Sequence, residues 1–313
     1  MTQPVILFSG QGAQKIGMAK DWCETSQIAR SLADKADATL GYSLTEIMFN
    51  GPEERLTSTS HCQPALYLHG LIALELIRAN VPGFKPAAAA GLSLGEFTAH
   101  AAAGTFSFED GLRLVSRRGT FMEEACKATD GAMAALIGGD EEKIRELAAA
   151  TDVDVANLNA PGQIVISGAT EKIDAAVAQA KDFGIRRAIK LNVAGAYHSR
   201  LMASAQEKLA AELMETLITV PAVSGTAIPI VANFTAKPVT SEGEIRSTLT
   251  SQVTGSVRWI ESIQYLVNAG HTTFLELGPG KVLAGLVAKI APGTTVISVE
   301  DVPSLETAIE ALS

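Results

Sequence analysis

The first 128 residues alternate short apolar runs with longer segments in which apolar residues recur at helical spacing. Val5–Phe8 is an apolar run that leads into the glycine-rich residues 9–12, which predicts a buried strand followed by a turn. A second strand is predicted at residues 87–91. Helices are predicted at three segments, residues 65–79, 94–103 and 108–128. Strands that alternate with helices indicate an α/β domain with a parallel sheet.

The middle of the chain has a different pattern. Its apolar positions predict, in order, a strand, a helix, two strands, a helix and a strand, at residues 131–137, 140–150, 153–157, 163–167, 170–183 and 187–193. This βαββαβ order is the ferredoxin-like unit. We therefore predict a small ferredoxin-like domain at residues 129–193, inserted into the first domain.

The last third returns to mixed strands and helices. Helices are predicted at residues 199–217, 245–253, 259–269 and 282–289, and strands at residues 230–233, 273–277 and 295–299. The large domain is thus predicted to comprise residues 1–128 and 194–313, around a central parallel sheet.

Composition and charge exclude several classes of protein. Of the 313 residues, 47% are hydrophobic, yet no apolar run reaches the length of a membrane helix. The net charge of −9, from 25 basic and 34 acidic residues, argues against nucleic-acid binding. Cys23, Cys62 and Cys126 are widely spaced, which favours reduced thiols over disulfides or a zinc site. We expect a cytoplasmic protein without a membrane or nucleic-acid partner.

The most informative motif is Gly91-Leu92-Ser93-Leu94-Gly95, between a predicted strand and a predicted helix. This Gly-x-Ser-x-Gly pattern is typical of a nucleophile elbow, which lifts a serine hydroxyl above the sheet in α/β-hydrolase-like folds. The two glycines suit a turn in which a Cβ would collide with backbone. The motif predicts that Ser93 is a nucleophile.

A nucleophilic serine needs a base, and the chain has five histidines. His198 follows the last strand of the inserted unit and precedes a predicted helix. Such junctions commonly carry catalytic side chains in α/β proteins. We therefore choose His198 as the base.

Nine short segments, in order and at similar spacing, resemble the malonyl-CoA:acyl-carrier-protein transacylases of fatty acid synthesis and the acyltransferase domains of fatty acid and polyketide synthases. The resemblance covers essentially the whole chain. The segments are Phe8-Ser9-Gly10-Gln11-Gly12-Ala13-Gln14, Gln63-Pro64-Ala65, Gly91-Leu92-Ser93-Leu94-Gly95-Glu96, Arg118-Gly119-x-Phe121-Met122, Asn159-Ala160-Pro161-Gly162-Gln163, Tyr197-His198-Ser199-x-Leu201-Met202, Asn233-Phe234-Thr235, Gln252-Val253-x3-Val257-Arg258-Trp259 and Glu276-Leu277-Gly278-Pro279-Gly280.

The resemblance implies a role for each of six residues. Ser93 carries the acyl group as an ester, and His198 takes and returns its proton. The backbone carbonyl of Gln252, rather than a carboxylate, orients His198. The backbone N–H groups of Gln11 and Leu94 form the oxyanion hole. Arg118 grips the free carboxylate of a malonyl group through two parallel hydrogen bonds.

The resemblance implies that malonyl passes from malonyl-CoA to Ser93, and then to the phosphopantetheine thiol of an acyl carrier protein. No metal or other cofactor is expected, and a chain of this size can act as a monomer. Since carrier proteins are acidic, a local basic patch is expected to dock them. The candidate docking residues are Arg186, Arg187, Lys190 and Arg200 near His198, and Lys281 and Lys289 in the C-terminal helix.

Three alternatives stay open. A free-standing acyltransferase of a polyketide synthase would use the same residues. A serine hydrolase would use the same elbow, but an arginine has little use in an apolar acyl pocket. A catalytically silent carrier-protein binding module would have no need of Ser93, His198, Arg118 and Gln11 together.

Overall fold

The structure, a computed structural model, describes residues 3–221 and 228–313. Its strands are β1 Val5–Phe8, β2 Ala88–Gly91, β3 Gly131–Ile137, β4 Asp154–Ala160, β5 Gln163–Ala169, β6 Arg187–Lys190, β7 Thr273–Leu277 and β8 Thr295–Val299. Its helices are α1 Lys20–Thr25, α2 Gln27–Leu40, α3 Leu44–Asn50, α4 Glu53–Thr57, α5 Thr59–Asn80, α6 Leu94–Ala102, α7 Phe108–Ala128, α8 Glu141–Ala150, α9 Thr170–Gln179, α10 Ala203–Glu215, α11 Glu242–Ser251, α12 Trp259–Asn268, α13 Val282–Ile290 and α14 Val302–Leu312.

The first sheet is parallel, with strand order β2-β1-β7-β8. β1 lies between β2 and β7, with Val5 opposite both Ala88 and Phe274. All four residues of β1 are buried, as expected for a central strand covered on both faces. The carboxyl ends of β1 and β2 therefore lie side by side, and the loops that follow them meet at one edge of the sheet.

The second sheet is antiparallel, with strand order β4-β5-β3-β6. This is the strand order of a ferredoxin-like βαββαβ unit. α8 and α9 pack on it around Ile144, Leu147 and Ile173. The predicted fold class, an α/β-hydrolase-like sheet with an inserted ferredoxin-like unit, is confirmed. The boundaries at residues 129 and 193 stay predictions, and residues 1–2 and 222–227 of the predicted large domain lie outside the described residues.

Helix α5 crosses the centre of the molecule and packs chiefly against α7. It is apolar on nearly every face and mostly buried, as expected for a helix inside the core. Gly119 of α7 lets the two helices approach closely, since a Cβ there would lie 2.5 Å from the carbonyl oxygen of Thr59. This contact fixes the start of α5 against the helix that carries Arg118.

The strand predicted at residues 230–233 is wrong. Ile230 and Val231 form only isolated bridges, with Ala89 and Pro238 respectively. Pro229 has no N–H to donate to a ladder. At Asn233 the side chain, in place of backbone ladder bonds, accepts from the N–H of Ser93 and donates to the carbonyl oxygen of Gly91.

Several other predicted segments differ in their bounds: α5 starts at Thr59 rather than at residue 65, and β4 ends at Ala160 rather than at residue 157. The strand predicted at residues 187–193 ends at Lys190, because the chain then passes close over Gly131, where a Cβ would lie 2.8 Å from Ala196. The helix predicted from residue 199 starts as a 3₁₀ turn, Arg200–Met202, capped by the Ser199 hydroxyl. The sequence patterns also missed α1 to α4 and α14. None of the described helices combines the length and the apolar character that a membrane span requires.

Candidate active site

The turn between β2 and α6 presents Ser93 at the carboxyl edge of the parallel sheet. Ser93 has φ 55° and ψ −105°, a backbone conformation that non-glycine residues rarely adopt. A Cβ on Gly91 would lie 2.0 Å from the backbone of Gly95, and one on Gly95 would lie 2.1 Å from the carbonyl oxygen of Phe8. The turn is therefore sterically possible only with glycine at both positions, as the motif predicts.

His198 lies within hydrogen-bond distance of this serine. The Ser93 Oγ to His198 Nε2 distance is 2.7 Å, and His198 Nδ1 lies 2.8 Å from the backbone carbonyl oxygen of Gln252. A carbonyl only accepts, so Nδ1 carries the proton and Nε2 of the neutral ring is an acceptor. The Ser93 hydroxyl then donates to Nε2. This is the geometry in which an imidazole can take a serine proton.

The environment of His198 keeps its ring neutral. Burial, and secondly the charge of Arg118, lower the pKa of His198 to about 4, although the carbonyls of Gln252 and Gly255 oppose this. At neutral pH the imidazole is therefore unprotonated and able to act as a base. The residue also has a positive φ of 54°, so both Ser93 and His198 occupy strained backbone positions.

Arg118 of α7 is fully buried and directed at the same place. Its Nη1 donates to Gln63 Oε1 at 2.7 Å, and its Nη2 to Gln252 Oε1 at 2.9 Å and to Ser93 Oγ at 3.1 Å. The guanidinium carbon lies 5.3 Å from the centre of the Phe97 ring. The neighbouring Arg117 instead pairs with Glu212 at the surface.

Arg118 keeps a positive charge despite its burial. Burial lowers the pKa of Arg118 to about 10, and the negative charge of Glu96 opposes that shift. The guanidinium contacts neutral amide oxygens and a hydroxyl, and its buried Nε has no hydrogen-bond partner. A ligand carboxylate can thus gain a charge-assisted hydrogen bond in this site.

Gln11 and Leu94 line the same cleft as Ser93. Gln11 lies in the loop after β1, and Leu94 is the first residue of α6, where backbone N–H groups precede the intrahelical ladder. The two loops are close, because Leu92 N donates to the carbonyl oxygen of Phe8 at 3.1 Å. A Cβ on Gly10 would lie 2.5 Å from the carbonyl oxygen of Leu92, so glycine permits this approach.

The cleft has a volume of 710 Å³, and its lining residues come both from the part of the chain around the parallel sheet and from the antiparallel sheet. Asn157 and Gln163 of the antiparallel sheet contribute polar groups, whereas Met122 and Leu286 are apolar. An elongated acyl donor can therefore contact the antiparallel unit while its reactive end reaches Ser93. No cluster of three or more metal-ligating side chains occurs within residues 3–221 and 228–313.

Four polar residues that support the site received no role, or an incomplete one, from the sequence. Asn233 Oδ1 accepts from Ser93 N at 2.7 Å, and its Nδ2 donates to the Gly91 carbonyl oxygen at 2.7 Å. Gln63 accepts from Arg118, the Gln252 side chain bonds Arg118 as well, and Glu96 is entirely buried. All four lie within the motifs quoted above, so their place in those motifs was the available signal.

The candidate docking residues are only partly free. Lys190 pairs with Asp174 at 2.7 Å, and Arg200 pairs with Asp152 and Asp154, both at 2.7 Å. Arg187 lies at an exposed position of β6. A basic surface near His198 is therefore weaker than the sequence suggests.

A serine in an elbow, a neutral histidine beside it and a buried guanidinium form an arrangement that suits an acyltransferase. The family model described as acyl transferase domain matches residues 5–306. The chain belongs to this acyl transferase family.

Full-length relatives are similar along the whole chain. The chain is 41% identical over 320 residues to malonyl CoA-acyl carrier protein transacylase of Bacillus subtilis strain 168, covering 100% of this chain and 98% of the relative. It is 38% identical over 314 residues to the protein of that name from Escherichia coli strain K12, covering 99% and 100%. A solved holo complex of a malonyl-transacylase with its type II PKS acyl-carrier protein, PlMCAT:AntF, matches with a TM-score of 0.93 at 35% identity, covering 99% and 100%.

Proposed function

We propose that this protein transfers the malonyl group from malonyl-CoA to the phosphopantetheine thiol of an acyl carrier protein. The observation that carries the proposal is the position of the Ser93 hydroxyl, 2.7 Å from His198 Nε2 and 3.1 Å from Arg118 Nη2. A nucleophile, its base and a carboxylate-binding cation thus meet at one oxygen. The names of the full-length relatives support the same substrate pair.

In the first half-reaction, His198 Nε2 takes the Ser93 proton as Oγ attacks the thioester carbonyl. The carbonyl oxygen becomes an oxyanion, which the N–H groups of Gln11 and Leu94 stabilise. The bond to sulfur then breaks, and the imidazolium protonates the departing CoA thiolate. Malonyl remains as an ester on Ser93.

The second half-reaction repeats these steps in reverse. His198 takes the proton of the phosphopantetheine thiol, whose sulfur attacks the ester carbonyl. Collapse of the tetrahedral intermediate breaks the bond to Ser93 Oγ, and the imidazolium returns the proton to that oxygen. Each half-reaction exchanges one acyl bond for another, so the mechanism is ping-pong.

Arg118 is the specificity element of the proposal. A malonyl carboxylate pairs with the buried guanidinium, whereas an acetyl group leaves that charge without a new partner. Breaking a buried charge pair typically costs about 3–5 kcal/mol, which corresponds to roughly 10²-fold to 5 × 10³-fold in rate. Arg118→Ala should therefore lower the rate of malonyl loading by about that factor and abolish the preference over acetyl-CoA.

The proposal includes a monomeric protein that works in the cytoplasm without a metal or bound cofactor. Supply of extender units for fatty acid synthesis is our first choice of pathway. The solved transacylase in complex with a polyketide carrier protein keeps a free-standing polyketide acyltransferase as the second candidate, with the same residues in the same roles.

The test separates transfer from hydrolysis. The enzyme is loaded with malonyl-CoA, freed of excess donor and mixed with holo carrier protein, apo carrier protein or buffer alone. Loss of the adduct only with the holo form, with gain of malonyl on that protein, is the expected result. Equally fast loss in buffer would instead favour a serine hydrolase. The rates of malonyl transfer to a fatty acid carrier protein and to a polyketide carrier protein are compared, and the faster rate identifies the pathway.

A further inference from the structure

The side-chain amide of Gln252 can adopt only one orientation in this site. Its nitrogen Nε2 faces two acceptors, the Ser93 carbonyl oxygen at 2.9 Å and Glu96 Oε2 at 2.6 Å. Its oxygen Oε1 faces Arg118 Nη2 at 2.9 Å. Rotating the amide by 180° would place NH₂ against the guanidinium N–H and an oxygen against two oxygens. The orientation of this amide thus decides whether Arg118 has its acceptor.

Glu96 is the carboxyl group that selects this orientation. The residue is completely buried, and its Oε2 accepts from Gln252 Nε2 and from the backbone N–H of Asn233 at 3.0 Å. The Gln252 Nε2 to Glu96 Oε2 distance of 2.6 Å is shorter than the 2.9 Å from Nε2 to the Ser93 carbonyl oxygen. Glu96 therefore holds the Gln252 amide more firmly than the other acceptor can.

The burial of Glu96 is costly, which indicates that it serves a purpose. Its second oxygen, Oε1, is buried without a hydrogen-bond partner, and a buried carboxylate pays a desolvation penalty unless a cation compensates it. Burial raises the pKa of Glu96 to about 7, and the Asn233 N–H, the Gln252 amide and the charge of Arg118 oppose that shift only in part. Glu96, Gln252 and Arg118 thus form a buried chain that ends at the Ser93 hydroxyl.

We propose that Glu96 is a positioning residue for donor selection: it fixes the Gln252 amide, which in turn aims the Arg118 guanidinium at the carboxylate of the acyl donor. The inference rests on the proposed function, because it assumes a donor with a free carboxylate. Glu96 need not touch the donor. The backbone carbonyl of Gln252, which orients His198, is a separate group and does not depend on the amide orientation.

The experiment measures kcat/KM for loading of malonyl-CoA and of acetyl-CoA on the full-length enzyme. Glu96→Ala removes the acceptor, and loss of a buried hydrogen-bond partner should lower malonyl loading about tenfold or more. Acetyl loading should fall much less, so the malonyl-to-acetyl ratio drops. Glu96→Gln keeps an oxygen that can face Gln252 and Asn233, and it should restore most of the ratio.

Glu276 provides a matched control. It is also a fully buried glutamate, but it accepts from Leu283 N, Ala284 N and the Ser298 hydroxyl, at the start of α13. Glu276→Ala should reduce stability and leave the donor ratio of the remaining folded enzyme unchanged. A merely structural role for Glu96 predicts the same behaviour for both glutamates.

The outcomes are distinguishable. A wild-type enzyme without preference for malonyl would contradict the proposed function itself. A selective wild type whose Glu96→Ala variant loads both donors more slowly by the same factor, so that the ratio is unchanged, would overturn only the role of Glu96. Should Glu96→Ala fail to fold, Glu96→Asp is used instead, because it retains the carboxyl group but shortens the side chain by one methylene. A lowered ratio in that variant supports the inference, and an unchanged ratio overturns it.

Discussion

Ser93 and His198, the proposed nucleophile and base, lie 2.7 Å apart but are held by different means. Ser93 sits in a tight turn between two consecutive elements, and its strained backbone is set by the close contact of Gly91 with Gly95. His198 has an equally unusual φ, yet it lies in an irregular segment between β6 and the 3₁₀ turn. Contacts with distant parts of the chain hold that segment in place.

Three such contacts surround His198. The ring bonds the carbonyl of Gln252, the preceding Tyr197 hydroxyl lies 2.6 Å from Thr59 Oγ1, and the N–H of Arg200 donates to Asp154 Oδ2 at 2.8 Å. Ser93 is thus held by local sterics together with bonds to Asn233 and Gln252, whereas His198 depends on long-range bonds alone. A single substitution that creates a steric clash should abolish the geometry of Ser93, whereas loss of one of several long-range bonds should weaken the position of His198 only in part.

The largest effect is expected in the elbow. Gly95→Ala places a methyl group 2.1 Å from the Phe8 carbonyl oxygen, and neither backbone can move without disturbing the sheet. We expect a loss of about 3 kcal/mol or more in the free energy of unfolding, together with loss of loading activity. Denaturant unfolding measures the first and the intact-mass assay below measures the second.

Gly285→Ala is the control for that prediction. Gly285 lies inside α13, and no atom would come within 4 Å of its new Cβ. Alanine should then stabilise the helix by about 0.5–1 kcal/mol. An equal loss of stability in both variants would contradict the steric account of the elbow.

Removal of the base should have the next largest effect. His198→Asn keeps a residue type that tolerates a positive φ but lacks a base. The rate of Ser93 acylation should fall by about 10²–10⁴-fold, with little change in unfolding. Single-turnover loading with malonyl-CoA measures this rate. His271→Asn, at a partly exposed position before β7, should leave it unchanged, and a wild-type rate in His198→Asn would remove His198 from the mechanism.

The pH dependence of acylation should reflect the surroundings of His198. A base works in its unprotonated form, so its activity is lost as the pH falls through its pKa. Burial and the charge of Arg118 lower the pKa of His198 to about 4. Loading should therefore persist below pH 6.5, where an ordinary histidine protonates. In Arg118→Ala the acid limb, which is the loss of loading activity at low pH, should move to higher pH.

The same burial acts on stability. The pKa values of His69 and His198 are lowered to about 4 and that of His100 to about 3, mainly by burial. Below pH 6.5 the unfolded chain binds more protons at these residues than the folded chain, so they reduce stability as the pH falls towards 4. The acid limb is therefore measured by brief pH-jump loading rather than after long incubation. An acid limb at pH 6.5 in both enzymes would contradict the assigned environment of His198.

The smallest effect is expected where the base segment meets the antiparallel sheet. Arg200 pairs with Asp152 and Asp154 at the surface, and exposed ion pairs contribute about 0–1 kcal/mol. Arg200→Ala should cost stability within that range and slow acylation a few-fold by loosening the segment after His198. High salt should reduce the difference from wild type, because it screens exposed charges.

Arg145→Ala tests whether that small effect is specific. Arg145 pairs with Glu141 at a similarly exposed position on α8, but this pair does not connect to the base segment. Its removal should leave acylation unchanged. Equal slowing in both variants would mean that the Arg200 bonds have no particular part in holding His198.

The contrast between local geometry and long-range hydrogen bonds also explains which parts of the site could be predicted from the sequence. The elbow was predictable because its geometry is local and two glycines mark it, and Arg118 was chosen through the family motif around it. The side-chain roles of Gln63, Glu96, Asn233 and Gln252 were not, because each depends on a hydrogen bond to a residue far away in the chain. Residues 230–233 were mistaken for a strand because their apolar pattern does not reveal that the Asn233 side chain replaces the ladder.

The central claim is that Ser93 carries the acyl group in a site selective for a carboxylate. Its most direct test is the intact mass of the protein after brief mixing with malonyl-CoA or acetyl-CoA, for the wild type and Ser93→Ala. We predict a malonyl adduct on the wild type, little acetyl adduct, and no adduct on Ser93→Ala. A malonyl adduct that persists in Ser93→Ala, or a wild type that takes up neither acyl group, would contradict the account.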